Sequence, residues 1–185
     1  MQYNIIYGAL IDATQKVVDL TVAKMNSNIE SSHENELLEI MLEAAEKEAE
    51  NYIDSPIKER NMAVQLSVWP EIFELPIYPV NAITNIEYKD GLGATQTVNV
   101  ADYTFYQTAS GNKIKFSWDS EPDLEEGNEF PITINCRAGW SDNDMPAEIK
   151  KAVLLKFSFN ERYREEMPTS ANRTFHAALR PLKRW

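Results

Sequence analysis

The sequence predicts an α+β fold, in which a helical core of about four helices carries an inserted antiparallel β unit between the second and third main helices. Two long segments, one ending before residue 56 and one beginning after residue 144, place apolar residues at three- and four-residue spacing, which indicates amphipathic helices. The region between them changes to strand-like alternation broken by turn residues. We therefore expect a single domain over 1–185, with an N-terminal arm and helices in 1–61, the β insertion in 62–138, and C-terminal helices with a basic tail in 139–185.

The N-terminal region predicts one extended segment and two helices. Residues 3–18 alternate loosely and carry β-branched residues, which favours a short strand or an extended arm. Asp19 is the expected N-cap of a short helix. Ser31 and Glu34 have the spacing of a capping box, so we expect a long helix from there to Ile53.

The long helix has two contrasting faces. The expected core stripe comprises Leu37, Leu38, Met41, Leu42, Ala45, Ala49, Tyr52 and Ile53. The other face carries Glu36, Glu39, Glu43, Glu46 and Glu50. Carboxylates at this spacing repel one another, so we expect a solvated face or a face that meets a basic partner.

The middle third predicts antiparallel strands. The strand candidates are Met62–Leu66, Phe73–Val80, Ile83–Tyr88, Thr95–Val100, Tyr103–Tyr106, Lys113–Trp118 and Pro131–Arg137. Two prolines in the second candidate favour an edge strand or an irregular crossing. Asp90–Gly93 has the composition of a hairpin turn, and Ser110–Asn112 predicts another turn.

The C-terminal region returns to helix. Asp144 and Pro146 offer a cap and a first-turn proline for a helix that is apolar around much of its girth. Such a helix is buried on more than one side. Pro168 is expected to break it, and 170–179 is expected to form a short last helix.

The charge is distributed unevenly along the chain. The net charge is −11, but residues 1–136 hold 8 basic and 23 acidic residues, a net charge of −15, whereas residues 137–185 hold 10 basic and 6 acidic residues, a net charge of +4. One interpretation is a solvated surface on which the signs fall unevenly. The other is head-to-tail self-association, or a basic end that faces an acidic partner or nucleic acid.

The sequence carries no recognisable catalytic motif. His33 and His176 lie far apart, and neither belongs to a metal-binding motif. Cys136 is the single cysteine, so no internal disulfide is possible, and its alternating strand favours a small buried apolar role. The glycines form neither a dinucleotide-binding nor a phosphate-binding loop. We therefore predict no catalytic, cofactor-binding or metal-ligating residue, and no enzyme.

Two further features of the sequence argue against a bound calcium ion and against a membrane-spanning segment. The acidic stretch 119–129 resembles a calcium loop, but Leu124 stands where the loop needs glycine and Phe130 where it needs a bidentate acid. We expect a solvent-exposed loop there. No apolar run approaches the length needed to span a bilayer, and the N-terminus lacks an export signal.

An ordered series of motifs resembles the head–tail connector proteins of long-tailed bacteriophages, which are also described as DNA-packaging or head-completion proteins. The similar segments are Val18–Lys24, Glu36–Ile53, Leu75–Val80 with Ile83–Tyr88, Ala138–Trp140 with Met145–Ala152, and Asn160–Glu165. The third resembles the family pattern L-P-x-x-P-V-x-x-I-x-x-I-x-Y, and the fourth resembles A-G-[YW] followed by P-x-x-I-[KR]-x-A. The final segment, Leu179–Arg184, only approximates the family's closing pattern.

The resemblance implies a structural role in the virion at the head–tail junction, with the host cytoplasm as the place of assembly. Such proteins form rings, commonly of twelve copies, that dock beneath the portal protein, extend the DNA channel and present a platform for tail-completion or stopper proteins. Double-stranded DNA passes through without sequence-specific binding, and no cofactor is implied. The alternative is a protein–protein interaction domain outside the virion, also without catalysis.

A ring gives the charge asymmetry a specific interpretation. Each interface in a ring joins two different faces, so an acidic helix face and a basic C-terminal segment are candidate complementary surfaces. The predicted contact residues are Arg173, Arg180, Lys183, Arg184 and Trp185 at the basic end, and Glu39, Glu43, Glu46 and Glu50 on the helix.

Overall fold

The structure is a computed structural model that describes residues 1–108, 111–164 and 169–183, the side chains of 169–172 excepted. It has two compact units. The strand unit comprises Met1–Ala13 and Glu59–Gly139, and the helix unit comprises Thr14–Lys58 and the described residues from Trp140 onward. The chain is thus of mixed α+β class, as predicted.

The strand unit contains eight strands among its described residues. They are β1 (Tyr3–Leu10), β2 (Arg60–Leu66), β3 (Ile72–Glu74), β4 (Val80–Lys89), β5 (Thr95–Thr97), β6 (Tyr103–Thr108), β7 (Gly111–Phe116) and β8 (Ile132–Ala138). Five strands form one sheet in the order β1-β2-β8-β4-β5, and three form a second in the order β3-β7-β6. Every pairing between these strands is antiparallel.

One apolar core joins the two sheets. In the larger sheet, Val64, Ile134 and Ile86 lie side by side on three neighbouring strands, and all three are fully buried. Phe73 and Ile114 of the smaller sheet belong to the same core. The alternation of buried and exposed residues in β2 and β8 places every second side chain in this core, as period-two patterning requires.

The predicted strands of the middle third are confirmed, with corrections of extent in β3, β5 and β7, the last of which ends at Phe116 instead of Trp118. Strand β5 ends at Thr97: the N–H of Val98 still donates to the carbonyl of Ile86, but Asn99 then caps the 3₁₀ turn Val100–Asp102. Only Ile72–Glu74 of the second candidate is a strand: the N–H of Leu75 still donates to the carbonyl of Asn112, but Pro76, which has no N–H, follows it. Of the predicted turn at 110–112, Ser110 lies outside the described residues, and Gly111 and Asn112 open β7.

The helix unit contains four α-helices in its described part: α1 (Leu20–Asn26), α2 (Asn35–Ile53), α3 (Ala147–Arg162) and α4 (Thr169–Leu179). Asp19 caps α1 as predicted, and its carboxylate accepts the N–H of Thr21 at 2.7 Å, which holds the pKa of Asp19 below its usual value. The cap expected at Asp144 is wrong: Pro146 is the N-cap residue of α3, and the carboxylate of Asp144 accepts the hydroxyl of Ser141 at 2.7 Å. The predicted break at Pro168 lies outside the described residues. Within those residues, no helix has the length and hydropathy that crossing a membrane demands.

The capping box predicted for α2 is wrong. The helix begins at Asn35, and the Ser31 hydroxyl accepts the N–H of His33 instead of a helical N–H. Glu34 makes no capping hydrogen bond, because its carboxylate is held by the guanidinium of Arg164 in two hydrogen bonds of 3.2 and 2.7 Å. Two hydrogen bonds to a guanidinium, in which both partners are charged, take precedence over one hydrogen bond to a backbone N–H.

Candidate assembly surface

The glutamate face of α2 divides into an exposed half and a buried half. Glu39 and Glu43, in the N-terminal half, are exposed. Glu46 and Glu50, one and two turns further on, retain only 7% and 6% of their accessible surface. The expectation of a solvated face along the whole helix is therefore wrong for the second half.

Glu46 is buried because two other segments of the chain cross its side of the helix. One carboxylate oxygen accepts the backbone N–H of Val17 at 3.0 Å, and the other pairs with the ammonium of Lys58 at 2.7 Å. A buried carboxylate is tolerated only when it is hydrogen-bonded and paired, and Glu46 is both. Its role in the described structure is to tie residues 17 and 58 to α2.

Glu50 has a similar role one turn later. Its carboxylate pairs with the ammonium of Lys47 at 2.7 Å and accepts the N–H of Ile57 at 3.3 Å. It therefore fixes the segment that follows α2, where Asp54 ends the helix in the left-handed conformation. Both buried glutamates serve the interior of the helix unit.

The exposed half of α2 combines acid with apolar surface. Ile40, between Glu39 and Glu43, is 63% exposed, and Leu37 on the preceding turn is also exposed. Leu37 was expected in the core stripe, but the helix buries Leu38 and Leu42 instead. We name the exposed surface of Leu37, Glu39, Ile40 and Glu43 the α2 patch.

The basic residues of the C-terminal region also divide into exposed residues and a residue that contacts its own chain. Arg173 and Arg180 are exposed and lie seven residues apart, which places them on one side of α4 and the 3₁₀ turn that continues it. The ammonium of Lys183 lies 4.9 Å from the centre of the Tyr52 ring, and Tyr52 stacks on His176 with ring centres 4.3 Å apart. Lys183 thus contacts α2 of its own chain. Arg184 and Trp185 lie outside the described residues.

Helix α4 is held by apolar anchors that the sequence analysis did not single out. Phe175 and Leu179, four residues apart, are fully buried. The buried ammonium of Lys156 on α3 lies 5.6 Å from the Phe175 ring and 2.7 Å from a carboxylate oxygen of Glu48. The spacing of Phe175 and Leu179 on one helix face is the signal that identifies these anchors. With α4 anchored in this way, the exposed arginines sit on an ordered helix.

A second ion pair ties the end of α3 to the start of α2. Arg164 binds Glu34 through both guanidinium nitrogens, and this pairing lowers the pKa of Glu34 and raises that of Arg164. The two residues are 130 positions apart, and nothing in the local pattern of either one signals the contact.

Outside this surface, we considered side chains that could act as nucleophiles or bind a metal ion, and those described have structural positions. Cys136 is buried, and burial raises its pKa to about 12, so the thiol is protonated near neutral pH and a poor nucleophile. It lines a groove of about 400 Å³ on the larger sheet together with Asn135 and Ala63. Among the described residues, no cluster of three or more histidine, cysteine or carboxylate side chains has a geometry that could hold a metal ion.

The motifs that carry the family resemblance form core and turns. Ile77, Val80 and Ile86 of the strand motif are buried, as is Ile149 of the helix motif. Gly139 has φ of +104°, a backbone conformation that favours glycine. The apolar positions of these motifs therefore encode the fold.

Comparison with known proteins gives matches in structure only. No protein-family model matches the chain, and no curated protein sequence matches it. Among solved structures, a chain from the neck of an empty gene transfer agent (GTA) particle, computed with C6 symmetry, has a TM-score of 0.78 at 18% identity. A chain from the virion of a native GTA particle has a TM-score of 0.74 at 17% identity, and one from the neck of a native GTA particle, computed with C12 symmetry, has a TM-score of 0.72 at 18% identity.

Each of these matches covers 100% of this chain and 96% of the matched chain. At this level of identity the likeness establishes the fold over the full length. The chain therefore has the fold of chains found in GTA necks and virions, in agreement with the resemblance to head–tail connector proteins.

Proposed function

We propose that this chain is a structural connector of the head–tail junction of a virion. In this proposal it assembles as a ring, of twelve copies in the particle, beneath the portal protein. The ring extends the DNA channel and provides the platform on which tail-completion or stopper proteins attach. The observation that carries the proposal is the fold match over the whole chain to chains from the necks of GTA particles.

The surface charge supports a channel role without sequence-specific DNA binding. A net charge of −11 disfavours tight binding to phosphates, which suits a passage through which DNA slides. The thiol of Cys136 is buried and keeps its proton near neutral pH, so it is a poor nucleophile, which fits a structural role. The chain would act as part of the packaging and assembly machinery and not as an enzyme.

We further propose that the α2 patch of one copy meets Arg173 and Arg180 of the next copy. Opposite charges across an interface steer association and fix its register. Ile40 and Leu37 would supply the apolar centre that charged rims surround in protein interfaces. The buried Glu46 and Glu50 drop out of the predicted contact set, because their carboxylates are engaged within the chain.

Native mass spectrometry and negative-stain microscopy of the full chain, alone and with a portal protein, test the main proposal. We expect closed rings in at least one of the two samples. A chain that stays monomeric alone and does not bind the portal contradicts the connector function and favours an interaction domain outside the virion.

Charge reversal tests the interface separately from the function. Glu39→Lys with Glu43→Lys, or Arg173→Glu with Arg180→Glu, should abolish ring formation at low salt, because each pair places like charges opposite one another. The variant with all four reversals should regain rings. Lys150→Glu with Lys151→Glu on exposed α3 positions is the matched control and should assemble normally. Rings in either two-residue variant, or none in the four-residue variant, contradict this interface.

A further inference from the structure

The strand unit has four edge strands in its described part, two at each sheet. Strands β5 and β3 contain three residues each, whereas β1 contains eight and β6 contains six. An edge strand directs the N–H and C=O of every second residue away from its one neighbour, so a long edge is a template for another strand. Strands β1 and β6 are the two long templates.

Neither long edge carries the charges or prolines that usually protect edges. Residues 1–11 and 103–108 contain no Asp, Glu, Lys, Arg or Pro. Ile6 on β1 is 44% exposed and Tyr106 on β6 is 47% exposed. Strand β1 has one irregularity of register, between Tyr7 and Leu10, so its regular part is Tyr3–Tyr7. Both edges are thus long, uncharged and rich in residues that favour strands.

The hydrogen-bond alternation identifies which backbone groups face outward. The carbonyl of Gln2 accepts the N–H of Ser67, so the alternation in the antiparallel pair turns the backbone of Tyr3 and Ile5 away from β2. The carbonyl of Asp102 accepts the N–H of Ser117, so the backbone of Phe105 turns away from β7. Each edge therefore presents a regular series of donors and acceptors.

The two long edges lie on opposite sides of the strand unit. Tyr3 of β1 packs edge-on against Phe73 of β3, with ring centres 6.3 Å apart, so the short strand β3 lies at the β1 side. Gln107 of β6 donates to the carbonyl of Val80 in β4 at 2.8 Å, so β6 lies at the other side. Each side thus has one long edge and one short edge.

We propose that β1 of one copy pairs with β6 of the next copy, so that a sheet continues across every contact between subunits. Two different edges on opposite sides make a heterologous contact, which closes into a ring or continues as a filament. Pairing of β1 with β1 would stop at a dimer and leave β6 exposed. The inference rests on the proposed ring and adds a backbone contact between neighbouring copies to the charged contact proposed above. The partner is a second copy of the chain, because each copy carries both of the uncharged edge strands, β1 and β6, that the pairing joins.

A mixing experiment with edge-blocked variants tests this pairing. Ile5→Pro blocks β1 and Phe105→Pro blocks β6, because proline lacks the outward N–H that the incoming strand requires and is tolerated at edges. At the concentration at which the native chain forms rings, alone or with the portal, each variant should lose rings. An equal mixture should form dimers and nothing larger in native mass spectrometry, since only one competent pair of edges remains.

Circular dichroism first checks that each variant folds, and Ile6→Lys and Tyr106→Lys serve as second variants at exposed positions. Thr97→Lys on the short edge β5 is the control and should keep its rings. Rings in the variants, or dimers from a β6-blocked variant alone, overturn the proposed pairing while the connector function stands. A native chain that forms no ring under any condition contradicts both.

Discussion

The two units are built around different kinds of interior. The core of the strand unit is apolar, and its buried polar or charged residue in the described structure is Asn112. The interior of the helix unit contains two carboxylates and an ammonium group, from Glu46, Glu50 and Lys156, together with Gln15 and Ser55. Both units belong to one chain of 25% charged residues, so composition alone does not explain the difference.

The difference follows from what each unit must hold in place. In a sheet, the ladder hydrogen bonds fix neighbouring strands and leave side chains free to fill the core. In the helix unit, irregular segments at 14–18 and 55–58 have no ladder, and their backbone N–H groups need acceptors. Glu46 and Glu50 accept from Val17 and Ile57 and so replace the missing ladder. The buried carboxylates thus supply the hydrogen-bond acceptors that the irregular backbone segments lack.

The largest expected effect comes from removing one of these acids. Glu46→Ala should lower the free energy of unfolding by about 3 kcal/mol, because it leaves a buried N–H without its acceptor and Lys58 without its partner. Guanidinium denaturation followed by circular dichroism at 222 nm measures the change in the helices. Alanine favours helix, so lost helix propensity does not contribute.

Glu43→Ala is the matched control on the same helix. Its side chain is exposed, and we expect a change within about 0.5 kcal/mol. Equal effects of the two substitutions would contradict the division of the acidic face into a structural half and an assembly half.

Local periodicity predicted most of the fold, because helices and strands depend on neighbouring residues. The long helix to Ile53 and the strands around Val64, Ile86 and Ile134 appear where the sequence placed them. Which glutamates are buried could not be read locally, since burial of Glu46 depends on residues 17 and 58 returning to α2. The same holds for the division of the strands into two sheets and for the pairing of β1 with β2, which depend on contacts distant in sequence.

The contact residues predicted from charge remain a prediction, and the structure shows only which of those in its described part are exposed and which are engaged within the chain. Arg173, Arg180, Glu39 and Glu43 are exposed, which the proposed contact requires, although the carboxylate of Glu39 also lies 3.8 Å from the ammonium of Lys16 in its own chain. Lys183 lies against Tyr52, a contact that basic composition does not signal. The apolar part of the α2 patch was missed because Ile40 lies outside the stripe of the helix, and an isolated exposed isoleucine among acids was the available signal.

Because Cys136 is buried in the apolar core of the strand unit, we expect the free energy of unfolding to fall at alkaline pH. Burial raises the pKa of Cys136 to about 12 from an unfolded value of 9.0, so the folded state keeps its proton where the unfolded state loses it. The stabilising contribution is complete below pH 9 and is lost as the pH rises toward 12. Stability should therefore fall by about 1.4 kcal/mol per pH unit in this window relative to Cys136→Val.

Denaturation followed by tryptophan fluorescence at pH 6, 7, 8, 9.5 and 10.5 measures this difference between the native chain and the variant. The two should have parallel profiles from pH 6 to 8 and diverge above pH 9. Divergence below pH 8, or parallel profiles throughout, would show that the thiol is not shielded as its burial indicates.

The smallest expected effect concerns the contact between the C-terminal segment and α2. Lys183→Ala removes an ammonium that lies 4.9 Å from the Tyr52 ring centre and should cost about 0.5–1 kcal/mol, the usual size of a partly exposed cation–π contact. Thermal unfolding measures this change in stability. Arg180→Ala, at an exposed neighbouring position, should leave the stability almost unchanged in the same experiment. Lys183→Met separates charge from packing, because it keeps an unbranched apolar stem and loses only the cation. If Met restores most of the stability lost in Ala, the stem and not the charge holds the segment. If the Met and Ala variants have the same stability, the charge holds the segment. In that case 1 M salt should reduce the contribution of this contact less than it reduces that of a surface ion pair, since a cation over an aromatic face is only partly exposed to screening.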